Sequence, residues 1–335
     1  MRNVLVIGGS RYFGRHLVTL LRDAGTRVTL LNRGSAPAPD GVTPLIADRA
    51  DHAALTAALG SSEFDAVIDQ VCSTPAHAAV ARRVFANRTG RYVMTSTIEV
   101  YDPATSDLLA SDPLASDLLR APDPTRRVPL AESQVLPARW PVDPERLAAA
   151  DTPELRYAEG KRQAEAVFTQ DAPFAFAAVR SAHVLGGGAL DFTGRLAHYT
   201  ERIAAGRPIT VDREPFATSF VHHREIAEFL AWAASADFTG PVNACSNGTL
   251  DVTELSELVA DRIGGPAVRY RIADAPPPHP DEPGHPDDKP SPFSFDRWYP
   301  MDNTRATELG FRFRAVRDWL PEAVDEALTT SKAGV

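Results

Sequence analysis

Cysteine is almost absent: Cys72 and Cys245 are the only two in 335 residues. So sparse a supply excludes a disulfide-stapled secreted scaffold, and both are expected to be buried thiols in a cytoplasmic protein. No lysine-rich or arginine-rich run occurs, and the formal net charge is −9. A nucleic-acid binder needs positive surface to displace counterions from phosphate, so nucleic acid is not favoured as a partner. No segment is long and apolar enough to span a bilayer. The N-terminus runs directly into a structural strand, so no signal peptide is expected. Metal is not expected either, because the spacing around His279 and His285 fits no dense ligand pattern. The remaining composition, 44% hydrophobic and 24% charged, suits a globular chain with a large core, in one large domain or two closely joined ones.

The most informative stretch is Val4 to Leu17. Val4-Leu5-Val6-Ile7 reads as a buried parallel strand. Gly8 then allows a sharp turn, and Gly14 allows the following helix to pack closely on the sheet. The free N–H groups at that helix start, with the positive end of its dipole, make a seat for a pyrophosphate. Strands and helices then alternate. Strands are expected at 27–31, 42–46, 64–71, 91–95 and 174–180, and helices at 12–24, 51–59, 76–87 and 154–168. Such alternation implies right-handed crossovers and a doubly wound parallel α/β sheet.

Residues 102–152 break the rhythm. They are rich in proline, aspartate, leucine and alanine, and contain the tandem SDLLA-SDPLA-SDLLR from Ser106 to Arg120. They read as an insertion, either on the surface or as a lid over the site, with Trp140 as its anchor. Further helices are expected at 191–205, 218–232, 252–263 and 315–328, with a strand at Pro241-Val242-Asn243. Residues 274–292 read as a solvated, proline-rich loop.

Two groups of residues carry chemistry. Tyr157 and Lys161 are four apart, which places them on one helix face. An ammonium beside a phenol favours the phenolate, so the pair can pass a proton to or from a carbonyl or alcohol oxygen. Gly160 is a poor helix residue and hints at a close approach of backbone or cofactor. Thr95-Ser96-Thr97-Ile98-Glu99-Val100-Tyr101 closes the fifth strand, at the carboxyl edge where ligands bind in such sheets. Its hydroxyls either bond substrate oxygen or cap a turn.

Taken together, GGSRYFG, TSTIEVY, Tyr157/Lys161, Val179-Arg180, Ser219-Phe220-Val221-His222 and the late Asp302 to Gly310 segment resemble the extended short-chain dehydrogenase/reductases. These are NAD-dependent epimerase/dehydratase-like proteins, and the match runs in order over nearly the whole chain. The resemblance implies a Rossmann domain at 1–180, with 219–240 returning to it, and a smaller α/β substrate-binding part at 181–335. It implies Thr97 in the place of the active-site serine, Tyr157 as general acid/base, and Lys161 on the nicotinamide ribose. The implied cofactor contacts are Gly8, Ser10, Arg11, Tyr12, Phe13, Gly14, Asn32, Arg33, Asp48, Val71 and Thr95. Thr97, Glu99, Tyr101 and His183 are expected on the substrate. Homodimerisation through helices is common in the family, although no motif here demonstrates it.

The departures from the family pattern are informative. Arg11 replaces the middle glycine, and strand two ends in Asn32-Arg33 where NAD-preferring members carry an acid. Two arginines there suit a 2′-phosphate, which favours NADP(H) over NAD(H). The asparagine and arginine that hold a diphosphate in sugar-nucleotide epimerases are replaced around His183 and Thr218-Ser219. Arg180, Arg213 and Arg224 read as structural ion-pair members, and His222 and His223 as packing residues. The sequence therefore predicts an NADP(H)-dependent ketone/alcohol oxidoreductase acting on a polar small molecule. A nucleotide-sugar epimerase or dehydratase is the runner-up. GGSR, Asn32-Arg33-Gly34 and Ser291 to Phe295 also resemble a subgroup containing chloroplast stem-loop-binding proteins. That gives a non-catalytic or RNA-binding relative as a third reading, opposed by the intact Tyr, Lys and hydroxyl and by the acidic charge.

Overall fold

A computed structural model describes residues 1–34, 36–102, 127–273 and 290–332. The tandem at 106–120, and His279 and His285, lie outside the described residues.

Seven parallel strands form the main sheet. They are β1 (Asn3–Ile7), β2 (Arg27–Asn32), β3 (Thr43–Ile46), β4 (Ala66–Asp69), β5 (Arg91–Thr97), β6 (Ala175–Ser181) and β10 (Gly240–Ala244), in the order β3-β2-β1-β4-β5-β6-β10. The order reverses at β1, which pairs with β2 on one side and β4 on the other. A doubly wound sheet opens its ligand crevice at that switch point, beyond the carboxyl ends of the strands.

Side chains on β1 alternate between two apolar layers, as the two-residue period of a strand requires. Val4 and Val6 pack with Leu17 and Val18 of α1 (Tyr12–Asp23) and with Ile226 and Leu230 of α7 (His223–Ala233). Leu5 and Ile7 face the other way, toward α2 (His52–Leu59), α3 (Pro75–Phe85) and α5 (Pro153–Gln170) through Leu55, Ala78, Phe85 and Phe168. A third cluster joins α6 (Arg195–Ala204), α8 (Val252–Ile263) and α10 (Val316–Lys332) around Tyr199, Leu255 and Trp319. Two short parallel pairs flank it: β7 (His183–Leu185) with β9 (Phe220–His222), and β8 (Ile209–Val211) with β11 (Tyr270–Ile272).

Several elements differ from the sequence expectation. The segment expected as a helix over 218–232 begins as strand β9, because Phe220-Val221-His222 pairs in register with β7 before α7 starts at His223. Helix α6 begins at Arg195 rather than 191. Gly194 is left-handed there, and the Asp191 carboxylate ties up both the backbone and the hydroxyl of Thr193. The fourth strand spans only Ala66–Asp69. Short α4 (Pro144–Ala148) and α9 (Thr304–Glu308), with β7, β8 and β11, are too brief to show a hydrophobic period.

Residues 127–152 are closely packed on α5. Trp140 is 1% exposed; its indole donates to Glu159, and it lies over the Arg162 guanidinium. Gln163 donates to the Asp143 carbonyl, and Gln170 to those of Pro137 and Trp140. This strap covers one face of α5 while α3 and the sheet cover the rest, so the run from Ala158 to Phe168 is buried, charged side chains included. None of its residues lines the cleft described below. Cys72 and Cys245 are both buried and free, and burial pushes the Cys72 thiol up to about 12.

Candidate active site

A cleft of about 850 Å³ runs across the carboxyl edge of the sheet from β2 to β6. Its cofactor end is built by the turn after β1. Gly8 adopts φ +85°, and a Cβ there would stand 2.6 Å from Val71, so only glycine allows this approach. Arg11 is the N-cap of α1 and gives it no side-chain cap, leaving the first turn's N–H groups for an outside acceptor. Gly14 lies beneath the turn instead of in the cleft lining; a Cβ there would meet the Gln70 amide at 2.3 Å and Gly9 at 2.8 Å. Its role is close packing of α1.

Ser10, Arg11, Tyr12, Phe13, Asn32, Arg33, Asp48, Val71 and Thr95 all line the cleft. Asn32 donates to the Ser10 hydroxyl and accepts from the Gly34 N–H, which fixes the end of β2. Arg11 and Arg33 are exposed at this edge. Tyr12 does more than line the turn. Its backbone is left-handed at φ 51°, an unusual strain for an aromatic residue. Its hydroxyl donates to the Val184 carbonyl at 3.0 Å, tying the turn to the opposite wall.

Sequence reasoning did not single out Arg49, Gln70 and His77 at this end. Arg49 is buried against Asp69, which also accepts from Tyr92. Among the described residues, buried Gln70 Nε2, His77 Nδ1 and Thr95 Oγ1 have no hydrogen-bond partner. Orphaned polar atoms, an uncapped helix start and a glycine cradle together fit a dinucleotide. No spacing rule marks Gln70 or His77, because each reaches the cleft through tertiary packing alone.

At the centre lie Thr97, Tyr157 and Lys161, all three in the cleft lining. Lys161 is 3% exposed, and its ammonium donates to the Thr95 carbonyl at 2.7 Å and stands 5.6 Å from the Tyr157 ring centroid. Tyr157 is 43% exposed to the cleft. Thr97 Oγ1 accepts from the Glu99 N–H at 3.3 Å and caps the single 3-10 turn Ile98–Tyr101. It therefore both caps a turn and presents a hydroxyl to the cleft. Ser96 is committed to Glu165. The close approach suggested by Gly160 is made by backbone: a Cβ there would sit 2.3 Å from the Ser73 carbonyl oxygen.

Glu99, His183, Phe192, Thr193 and Arg195 line the far end. Tyr101 does not join them. It is 1% exposed, donates to Asn243 and accepts from Arg180; the turn that exposes Glu99 directs Tyr101 into the core. Burial lowers His183 to about 3, with Arg195 adding to the effect. Burial raises Glu99, and nearby Asp102 raises it further. Arg180 is fully buried against Glu165 at 2.6 Å, and Arg224 pairs with Glu322 and Glu326, each at 2.7 Å. Arg213 is exposed and lies outside the cleft lining. His222, His223 and Glu326 gather within 4.8 Å. Arg314 donates to His222, and His223 pairs with Glu326 at 3.2 Å.

The sheet order, the glycine turn and the Tyr/Lys helix define a dinucleotide-binding α/β protein of short-chain dehydrogenase/reductase type. Residues 4–245 match the NAD dependent epimerase/dehydratase family, and the chain belongs to it. It is similar in fold to UDP-glucose 4-epimerase from Thermotoga maritima, at TM-score 0.68 and 16% identity over 98% of this chain and 99% of that one. It is likewise similar to dTDP-glucose 4,6-dehydratase from Bacillus anthracis, solved with NAD, at TM-score 0.69 and 12% identity over 99% and 98% of the two chains. Identities this low speak for the fold alone. A curated relative, 2′-dehydrokanamycin reductase from Streptomyces kanamyceticus, is 30% identical over 163 residues, which are 48% of this chain and 40% of that protein. Among the described residues no helix is long and apolar enough to cross a membrane.

Proposed function

We propose that the protein is an NADP(H)-dependent oxidoreductase that interconverts ketone and alcohol on a polar small molecule. The observation that carries this reading is the convergence of Thr97, Tyr157 and Lys161 in the same cleft as the glycine turn. Arg11 and Arg33, exposed at its β2 edge, support a cofactor bearing a 2′-phosphate. The bound cofactor supplies or accepts the hydride. In reduction, Tyr157 donates its hydroxyl proton to the substrate oxygen as that oxygen gains charge, and Thr97 holds the same oxygen by a hydrogen bond. Lys161 contributes positive charge beside the phenol. It stays in place through its bond to the Thr95 carbonyl. In oxidation the proton returns to Tyr157. Gly8 to Phe13, Asn32, Asp48, Val71 and Thr95 serve the cofactor in this reading, and Glu99 and His183 the substrate. The name of the reductase relative supports the reaction class.

A nucleotide-sugar epimerase or dehydratase is the second reading, favoured by the solved neighbours. It is weakened by Arg180 and Arg224, whose ion pairs leave neither available to a diphosphate, so that Arg195 is the cation lining the far end that could meet one. The purified protein, given NADPH and a panel of polar ketones, should consume NADPH in step with ketone. Interconversion of UDP-glucose and its 4-epimer without net loss of cofactor would replace the first reading by the second.

A further inference from the structure

Among the described residues two acidic side chains line the cleft, Asp48 at the cofactor end and Glu99 at the other. They differ in how they are satisfied. Asp48 accepts from the Ala50 N–H in a turn of its own making. Glu99 is mostly buried, and its carboxylate accepts one long bond, 3.3 Å from the Tyr299 hydroxyl, which also donates to the Ile98 carbonyl at 3.2 Å. Among the described residues no lysine or arginine forms an ion pair with Glu99. Two cations stand near it: Arg297 is engaged with Asp102 at 3.0 Å, and Arg195 lines the same end of the cleft without pairing directly with Glu99. The cost of taking a carboxylate out of water without a direct ion pair is only partly offset by cations farther off. Asp102 adds like charge and deepens that cost. The arrangement is relieved by a cation that arrives with the substrate.

His183 gives an independent observation at the same end. Its ring is 6% exposed and lines the cleft, and its Nε2 has no hydrogen-bond partner among the described residues. It packs among Phe293, Phe295 and Tyr299, which exclude water from behind it. Burial keeps the ring neutral, so Arg195 is the positive side chain lining this end and His183 adds none of its own. It offers a single hydrogen bond to a hydroxyl or amine on the ligand.

The geometry points to a substrate that carries a protonated amine, held by the Glu99 carboxylate beside the reacting oxygen, with His183 Nε2 bonding a neighbouring polar group. This inference rests on the oxidoreductase reading and names its substrate class as amino-sugar-like or aminocyclitol-like ketones. A neutral hydroxyl in the same place would satisfy one lone pair and leave the charge unpaired.

The test is equilibrium binding to the NADP⁺-loaded protein, which does not depend on turnover. Two matched pairs serve as probes: glucosamine against N-acetylglucosamine, and kanamycin against its fully N-acetylated form. The wild type should prefer the free amine by about tenfold or more in at least one pair, and Glu99→Gln should remove that preference. NADP⁺ affinity retained in Glu99→Gln shows that the variant is folded; if it is lost, Glu99→Asp takes its place, and a shorter carboxylate should keep part of the preference. Equal binding of amine and amide, absence of binding by both amines, or a preference that survives Glu99→Gln overturns the inference. So does UDP-glucose binding that excludes all four probes. A protein that shows the amine preference but oxidises no NADPH with any ketone keeps the inference and removes the oxidoreductase reading instead.

Discussion

The two ends of the cleft are built from different material. At the cofactor end, the walls are strand ends, the short turns that follow them, and first turns of helices: β1 into α1, β2 at Asn32, Asp48 to Ala50 after β3, and β5 at Thr95. At the substrate end, the walls are one 3-10 turn, the three-residue strand β7, and the loop leading to α6 with Phe192, 70% exposed. A dinucleotide has a fixed shape, so a rigid scaffold of ordinary elements is sufficient to hold it. Substrate choice is assigned to segments that can change without disturbing the sheet. Tyr157 and Lys161 stand at the boundary, on a long helix locked from behind by the strap over 127–152.

The sharpest way to test that boundary is Tyr157→Phe. If the phenol serves chemistry alone, turnover should fall by about 10²–10⁴-fold. Dissociation constants for NADP(H), read by fluorescence, should stay close to those of the wild type. An equal loss in cofactor binding would show that Tyr157 belongs to the cofactor end.

The same division explains what is legible in sequence. The parallel sheet and its helices follow from apolar runs of period two and four, and Gly8, Arg33 and Tyr157 lie within such patterns. Flanking prolines mark Trp140 as an anchor, and it is one. The family resemblance assigns Tyr101 to the substrate, but a 3-10 turn rotates successive side chains by about 120°. That rotation takes Tyr101 into the Arg180–Asn243 network and leaves Glu99 at the surface of the cleft. Strand β9 is hidden because three residues carry too little period to separate from the helix that follows. Arg49, Gln70 and His77 become site residues only through contacts distant in sequence.

Gly160→Ala probes how firmly α5 is held. The new methyl would stand 2.3 Å from the Ser73 carbonyl, where backbone must move. The expected loss is about 2–3 kcal/mol of unfolding free energy in denaturant titration. A change below about 0.5 kcal/mol would mean that α5 is free to shift, and that the strap does not fix it.

Arg33→Ala examines the cofactor end without touching the chemistry. A charge-assisted bond to a 2′-phosphate is lost while NADH, lacking that phosphate, keeps its contacts. NADPH affinity should fall by about ten- to a hundredfold and NADH affinity by less than about twofold. Equal weakening of both would place Arg33 outside 2′-phosphate recognition.

The smallest effect is expected at the substrate end, from His183→Gln. Burial holds the folded-state pKa of His183 at about 3, against 6.5 for a solvated imidazole. His222 is lowered likewise to about 3, by burial and then by His223. A depressed histidine binds its proton in the unfolded chain first. Stability is therefore complete above about pH 6.5 and declines as pH falls toward 3. Between about pH 5 and 6.5 the ordinary carboxylates are still ionised in both states, so the slope there reports histidines. His183→Gln removes one proton from the difference and should flatten the slope by up to about 1.4 kcal/mol per pH unit, leaving the contributions of His222, His16 and His77, which burial also lowers. An unchanged slope would mean that the His183 ring reaches solvent through the cleft and titrates as it does in the unfolded chain. The substrate end would then be wet, and a carboxylate at Glu99 would need no ammonium to offset its burial.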